Sequence, residues 1–245
     1  MIFVKIEPTI LQMYGERLKQ NLPCVEERVA RAQERSGRVD RMRLVAVTKG
    51  HPPEAVRAAV AAGLVDVGEN RVQELAAKRA ELEGEDARPV WHLIGHLQRN
   101  KARQAVQLFD YIHSIDSLRL ARELSAEAQR AGIEVRGLVQ VNVSGEASKG
   151  GFDADRAIDE IAQVAALPSL RCDGLMTMAP LTAEESVVRA TFAGARRLLE
   201  RCTRAGLGLR GAELSMGMSG DYEIAVEEGS TMLRLGTILF GERTQ

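Results

Sequence analysis

The stretch LVAVTKGHPPEAVRAAVAAGLVDVG, residues 44–68, decides the fold. Its two ends, LVAVT (44–48) and LVDVG (64–68), are short, apolar and rich in β-branched residues, the composition of a buried strand. Between them lies the helix-like segment PEAVRAAVAAG (53–63), and Pro52 and Pro53 suit a helix's first turn. Strand, helix and strand in that order imply parallel pairing, because a parallel connection must cross back over the sheet.

The same rhythm runs along the chain. Further apolar runs stand at PVWHLIG (89–95), YIHSID (111–116), LVQVNV (138–143), CDGLMTM (172–178), AELSMGM (212–218) and MLRLG (232–236). Most are separated by amphipathic stretches such as RVQELAAKRAELEG, SLRLARELSAEAQRAG, DRAIDEIAQVAAL and AEESVVRATFAGARRLLERCTRAG. Eight strands at about 24 residues per unit predict a closed (β/α)8 TIM barrel of the α/β class, whose typical length is ~250 residues. An open doubly wound sheet is the alternative, but nothing marks a switch point or an antiparallel edge. In a barrel, active groups gather where strands end and loops begin.

Ahead of the barrel, Leu18, Leu22, Val25, Val29 and Ala32 recur at spacings of three and four, which predicts an N-terminal helix stopped at Gly37. Four arginines between Arg35 and Arg43 read as a solvated connector. The expected organisation is one domain over 1–245, with the helix in 1–40 and the barrel in 44–243. Apolar residues make up 45% and charged residues 27%, which argues against disorder, and a net charge of −1 argues against a dedicated nucleic-acid binder. No apolar run approaches the ~20 residues of a membrane span, and the N-terminus does not suit a signal peptide. Cys24, Cys172 and Cys202 are odd in number and far apart, which fits free thiols in a cytoplasmic protein.

Chemistry concentrates at strand ends. LVAVT runs into Lys49, which places an amine at the barrel mouth, where desolvation frees its lone pair for attack on a carbonyl. A lysine snorkelling to water is the ordinary alternative. At the other end of the chain, Ser215, Gly217, Ser219 and Gly220 follow one strand, and Gly236 and Thr237 follow the last. Small residues let backbone N–H groups approach an anion, and barrels often bind phosphate with these two loops. Ordinary turn chemistry would use the same residue types. Arg234 interrupts the last apolar strand and needs a partner inside the barrel, either a cofactor ring nitrogen or a carboxylate. An imine-forming lysine, a phosphate cradle and an arginine for a ring nitrogen together describe a pyridoxal phosphate site.

Eight segments carry a family resemblance: AVTK (46–49), VGENRVQE (67–74), WHLIGHLQRNK (91–101), HSIDS (113–117), VNVSGEASKGG (141–151), GLMTMAP (174–180), LSMGMSGDYEIAVEEGSTMLRLGT (214–237) and FGER (240–243). On these the chain resembles the pyridoxal phosphate homeostasis proteins, which are similar to the N-terminal barrel domain of alanine racemase. The resemblance implies that Lys49 holds pyridoxal 5'-phosphate as a Schiff base. It implies that Ser219, Gly236 and Thr237 contact the phosphate, that Arg234 faces the pyridine nitrogen, and that Asn70 and Met216 line the pocket. Lys149 matches a family lysine associated with cofactor transfer. Many members carry a second lysine two positions after the first; here His51 stands there, which puts any exchange role of that lysine in doubt.

A carrier or buffer of the cofactor, in vitamin B6 and amino-acid homeostasis, is the expected role, with a racemase of low activity as the alternative. Racemisation needs an acid–base group on each cofactor face. In the racemases one is a tyrosine of a separate domain, and this sequence stops at Gln245, soon after the last strand. Tyr14 and Tyr111 are not expected at strand ends, and Tyr222 falls in the phosphate-side helix. The expected partners are the cofactor and, as recipients, apo-enzymes that use it; no nucleic acid or membrane is expected, and the protein reads as a monomer or weak dimer. Other signals carry little. The GxGxxG at 206–211 follows a helix, the reverse of the dinucleotide-binding order. His92 and His96 have no third ligand near them, so no metal is expected. Glu184–Glu185 and Glu227–Glu228 read as solvated faces, and Arg99, Lys101 and Arg103 lack interleaved aromatics.

Overall fold

Each of the eight expected runs becomes one stave of a closed barrel. A computed structural model of the chain describes residues 9–39, 42–85, 88–146, 150–182 and 184–242. The staves are β1 (Arg43–Val47), β2 (Asp66–Glu69), β3 (Val90–Leu93), β4 (Tyr111–Ile115), β5 (Val135–Asn142), β7 (Leu170–Met176), β8 (Glu213–Ser215) and β9 (Met232–Leu235). All neighbours are parallel, β1 pairs with β9, and the β4–β5 pairing completes the circle. A two-residue strand, β6 (Phe152–Asp153), adds to the end of β5 outside that circle. The alternative open sheet is therefore excluded by closure.

Helices α2 (Pro53–Ala61), α3 (Val72–Glu81), α4 (Ala102–Leu108), α5 (Leu118–Ala131), α6 (Ala157–Ala165), α7 (Glu185–Arg204) and α8 (Tyr222–Glu227) follow the staves. The last, α9 (Thr237–Phe240), has only four residues. The N-terminal helix α1 (Ile10–Ser36) compensates by packing over α2, α8 and α9. Its apolar stripe buries Tyr14, Leu18, Val25, Val29 and Ala32, and Leu22 packs at its margin. A capping box between Thr9 and Gln12 starts it, and Gly37 ends it with φ of 65°, a conformation that favours glycine. Arg17 donates to the Phe240 carbonyl at 2.8 Å and Asn21 to the Leu239 carbonyl at 3.0 Å. The short helix's orphan carbonyls are thus satisfied from α1.

Pairing register divides the staves into two faces, because paired residues point to the same side. Val45, Tyr111, Leu138, Met176 and Met232 form an inner apolar cluster, separate from the larger core between barrel and helices. Polar groups share the interior with it. Asp173 at its N-terminal end accepts from Tyr111 Oη at 3.0 Å, Arg136 Nε at 2.9 Å and Arg171 Nε at 2.6 Å. Tyr111 does open β4, at the barrel end away from the mouth.

Two charged features depart from the sequence reading. The arginine run is not uniformly a solvated connector: Arg35 lies within α1 and bonds Glu227 at 2.7 Å, and Arg43 opens β1. Glu227 and Glu228 are not merely solvated, because Arg189 bridges both, at 2.8 and 3.0 Å. Packing of α1 and α7 against α8 brings these charges together across long sequence separations.

Candidate active site

Alternation along β1 aims Lys49 into the barrel mouth. Val45 and Val47 belong to the inner face, and Lys49 lies two residues further on. The residues on either side of it are fixed from behind. Thr48 Oγ1 donates to Glu69 at 2.5 Å, Lys78 Nζ donates to the Thr48 carbonyl at 2.7 Å and to Glu69 at 2.5 Å, and the Gly50 N–H donates to Glu74. Glu69 is fully buried, and burial raises its pKa against the opposing pull of Lys78. Its second oxygen has no hydrogen-bond partner.

A cavity of about 750 Å3 opens at this end of the barrel. It brings together Lys49, Asn70, Ser219, Arg234, Gly236 and Thr237. Met216 is the exception. It is fully buried in the outer core, because Ser215 takes the inward direction and the next residue must point outward. Met178 and Met218 line the cavity instead. Lys149 lies outside the described residues.

Close approach builds the cradle. A Cβ at Gly236 would lie 3.2 Å from the Val47 carbonyl oxygen, so the end of β9 presses on β1 beneath Lys49. Ser219 Oγ accepts from the Ile238 N–H at 3.3 Å, which ties the β8–α8 loop to the start of α9. At the start of α9 the Leu239 and Phe240 N–H groups both bond the Gly236 carbonyl, which leaves the Gly236 and Thr237 N–H groups as the donors for the cavity wall. Gly217 holds the loop's bend with φ of 95°, and a Cβ there would meet Ala225 Cβ at 2.6 Å. Gly217→Ala is expected to cost about 2 kcal/mol or more, from backbone strain and overpacking, read by denaturant unfolding.

Arg234 is almost wholly buried, and burial pushes its pKa down to about 10. Among the described residues it has no salt-bridge partner. Nη1 donates to Ser215 Oγ at 2.7 Å and Nη2 to the Thr177 carbonyl at 3.1 Å, both neutral oxygens. A cation held this way at a cavity wall is suited to a polar acceptor from a ligand.

On the opposite rim the sequence reading weighed only His96, and that as a metal ligand. There His96 Nδ1 lies 2.9 Å from Asp116, and Gln140 donates to the Gly150 carbonyl at 2.8 Å. His96 and Asp116 stand just past the ends of β3 and β4, which was the available signal. His51 turns away from the cavity. Its ring is buried, shares a hydrogen bond of 2.9 Å with Tyr14 Oη, and packs on Phe240. None of the three tyrosines lines the cavity: Tyr14 packs in α1, Tyr111 lies near the far barrel end and Tyr222 sits in α8. The described residues contain no group of three or more His, Cys, Asp or Glu side chains able to hold a metal.

Fold and site together define an alanine-racemase-type barrel whose strand-end lysine shares a cavity with two small-residue loops. A family model described as the alanine racemase N-terminal domain matches residues 20–244. Alanine racemase from Clostridium difficile shares the fold at a TM-score of 0.74, with 15% identity over 94% of this chain and 60% of that one. The chain belongs to the family of the pyridoxal phosphate homeostasis proteins. The member from Pseudomonas aeruginosa is 44% identical over 92% of this chain and 96% of its own. That from Aquifex aeolicus is 39% identical over 91% and 97%. PipY of Synechococcus elongatus, solved with PLP bound, superposes with a TM-score of 0.79 and 40% identity, over 93% of this chain and 100% of that one.

Proposed function

We propose that this chain binds pyridoxal 5'-phosphate reversibly on Lys49 and serves as its carrier or buffer in vitamin B6 and amino-acid homeostasis. The observation that carries this reading is the convergence of Lys49, Arg234 and the Ser219–Gly236–Thr237 cradle on one cavity. The donor set fits the group. Hydroxyls and the backbone N–H groups of Gly236 and Thr237 suit a phosphate dianion, and the glycine at 236 leaves the space a side chain would fill. When bound, the cofactor supplies an aldehyde carbon that condenses with a primary amine. The chain's own residues do the rest. Lys49 presents that amine, Arg234 donates to the ring nitrogen, Asn70 lines the wall, and the cradle fixes the phosphate end. An arginine keeps the ring nitrogen unprotonated, which weakens carbanion stabilisation.

The names of the relatives support a carrier over a racemase. We take 1–245 as one cofactor-binding barrel domain, acting in the cytoplasm as a monomer or weak dimer and supplying apo-enzymes. No described helix is long and apolar enough to cross a membrane. Borohydride reduction of the loaded protein followed by peptide mapping tests the site, with the adduct expected on Lys49; an adduct mainly on Lys149 would relocate it. Alanine racemisation near the median enzyme rate of ~10 s⁻¹ would overturn the carrier reading. Arg234→Ala is expected to weaken cofactor binding about tenfold, measured by titration, while the adduct on Lys49 persists at saturation.

A further inference from the structure

Five buried or half-buried side chains form a line through the barrel. Asp66 Oδ1 lies 2.9 Å from His92 Nε2, and His92 Nδ1 lies 2.8 Å from His113 Nε2. His113 Nδ1 lies 3.0 Å from Ser215 Oγ, which accepts from Arg234 Nη1 at 2.7 Å. The residues come from β2, β3, β4, β8 and β9, so the bond from His113 to Ser215 crosses the barrel interior. His92, His113 and Ser215 are fully buried. Buried polar atoms need hydrogen-bond partners, and each ring nitrogen of His92 and His113 has its partner in this line.

The two ends dictate the direction of every bond between them. Arginine only donates and a carboxylate only accepts. His92 Nε2 must therefore carry the hydrogen that faces Asp66, and with a neutral ring its Nδ1 is left as an acceptor. His113 Nε2 must then donate to it, which leaves His113 Nδ1 to accept the Ser215 hydroxyl hydrogen. With that hydrogen turned away, Ser215 offers a lone pair to Arg234. The reverse direction would set a bare His92 lone pair against the Asp66 carboxylate. Burial lowers both histidine pKa values, His113 well below the usual range, which agrees with neutral rings.

We propose that His92 and His113 are positioning residues for the cavity arginine: with Ser215 they form a one-way hydrogen-bond relay from Asp66 that fixes which edge of the Arg234 guanidinium faces the cavity. In its effect on the cofactor, the proposal rests on the reading that Arg234 meets the pyridine nitrogen. Without the relay, Ser215 is free to turn its hydrogen toward Arg234, and the guanidinium loses its anchor on that wall.

Two measurements test it. In the cofactor-free protein, long-range 1H–15N correlation of the histidine rings is expected to show the Nε2–H tautomer for both His92 and His113. An Nδ1–H tautomer at His113 would overturn the relay whatever the protein binds. In the second measurement pyridoxal phosphate is the probe. Ser215→Ala and His113→Gln, which lacks a polar atom at the Nδ1 place, are each expected to raise Kd about tenfold and to shift the visible band of bound cofactor. His113→Asn, which restores an acceptor there, is expected to stay within about twofold of the unmodified chain. Equal losses in both His113 variants, tracking Tm with the band unmoved, would reduce the histidines to core filling. If instead the unmodified chain takes up no pyridoxal phosphate, the functional reading fails while the tautomer result stands.

Discussion

Lys49→Ala is expected to abolish covalent retention of pyridoxal phosphate, leaving no borohydride-fixed adduct by mass spectrometry, while the barrel stays folded. The expectation follows from how the chain around that side chain is held. The chain on either side of it is held through Thr48 and Gly50, by the buried Glu69–Lys78 pair and by Glu74. Those bonds use the Thr48 hydroxyl and backbone groups, and none of them uses the Lys49 amine. Removing the amine removes the reacting group and leaves those bonds in place, and Tm should move by no more than a few degrees. Weak non-covalent binding through the cradle and Arg234 is expected to remain, visible as loss of bound cofactor on dialysis. Undiminished labelling of the variant would show that another amine does the chemistry.

Lys78→Met is expected to be among the most destabilising single changes, at about 3–5 kcal/mol, because it strips the counter-ion from a fully buried carboxylate. For a chain of this size that is a Tm loss of roughly 10 °C. The sign of its pH dependence is fixed as well. Burial already raises the Glu69 pKa, and Lys78 is the cation that opposes that rise. A carboxyl whose folded-state pKa lies above its unfolded value contributes stability at low pH and loses it as pH climbs through the folded value. The deficit of the variant should therefore shrink on acidification from neutrality toward the raised Glu69 pKa, in paired denaturation series. A deficit independent of pH would assign the loss to packing rather than charge. Because the same pair braces Thr48, the variant is also expected to bind pyridoxal phosphate less tightly.

The barrel was readable because each stave announces itself locally. In LVAVT, YIHSI and MLRL the apolar runs are short, and helices of the right length fill the gaps. That Lys49, Ser219, Gly236 and Thr237 stand at the barrel mouth was readable for a related reason, since strand ends and small-residue loops are sequence features. What escaped depends on lateral neighbours. Met216 looked like a wall residue, but the neighbouring Ser215 had already taken the inward direction. His92 and His113 stand 21 residues apart in the chain and meet only because β3 and β4 are adjacent. The acidic pair at Glu227 and Glu228 looked solvent-facing until α1 and α7 supplied Arg35 and Arg189. Periodicity reports which side of an element is buried; it does not report which element lies against it.

Because α1 roofs the space that a full-length α9 would cover, synthesis order acquires a cost. Helix α1 leaves the ribosome before any stave and carries apolar residues whose resting place is completed only when β9 and α9 emerge. Tyr14 must wait for Phe240, and Arg17 for a carbonyl 223 positions downstream. A nascent chain halted before β9 should therefore keep its leading helix open to proteases, and ring closure with helix docking should be the slow, final event of refolding.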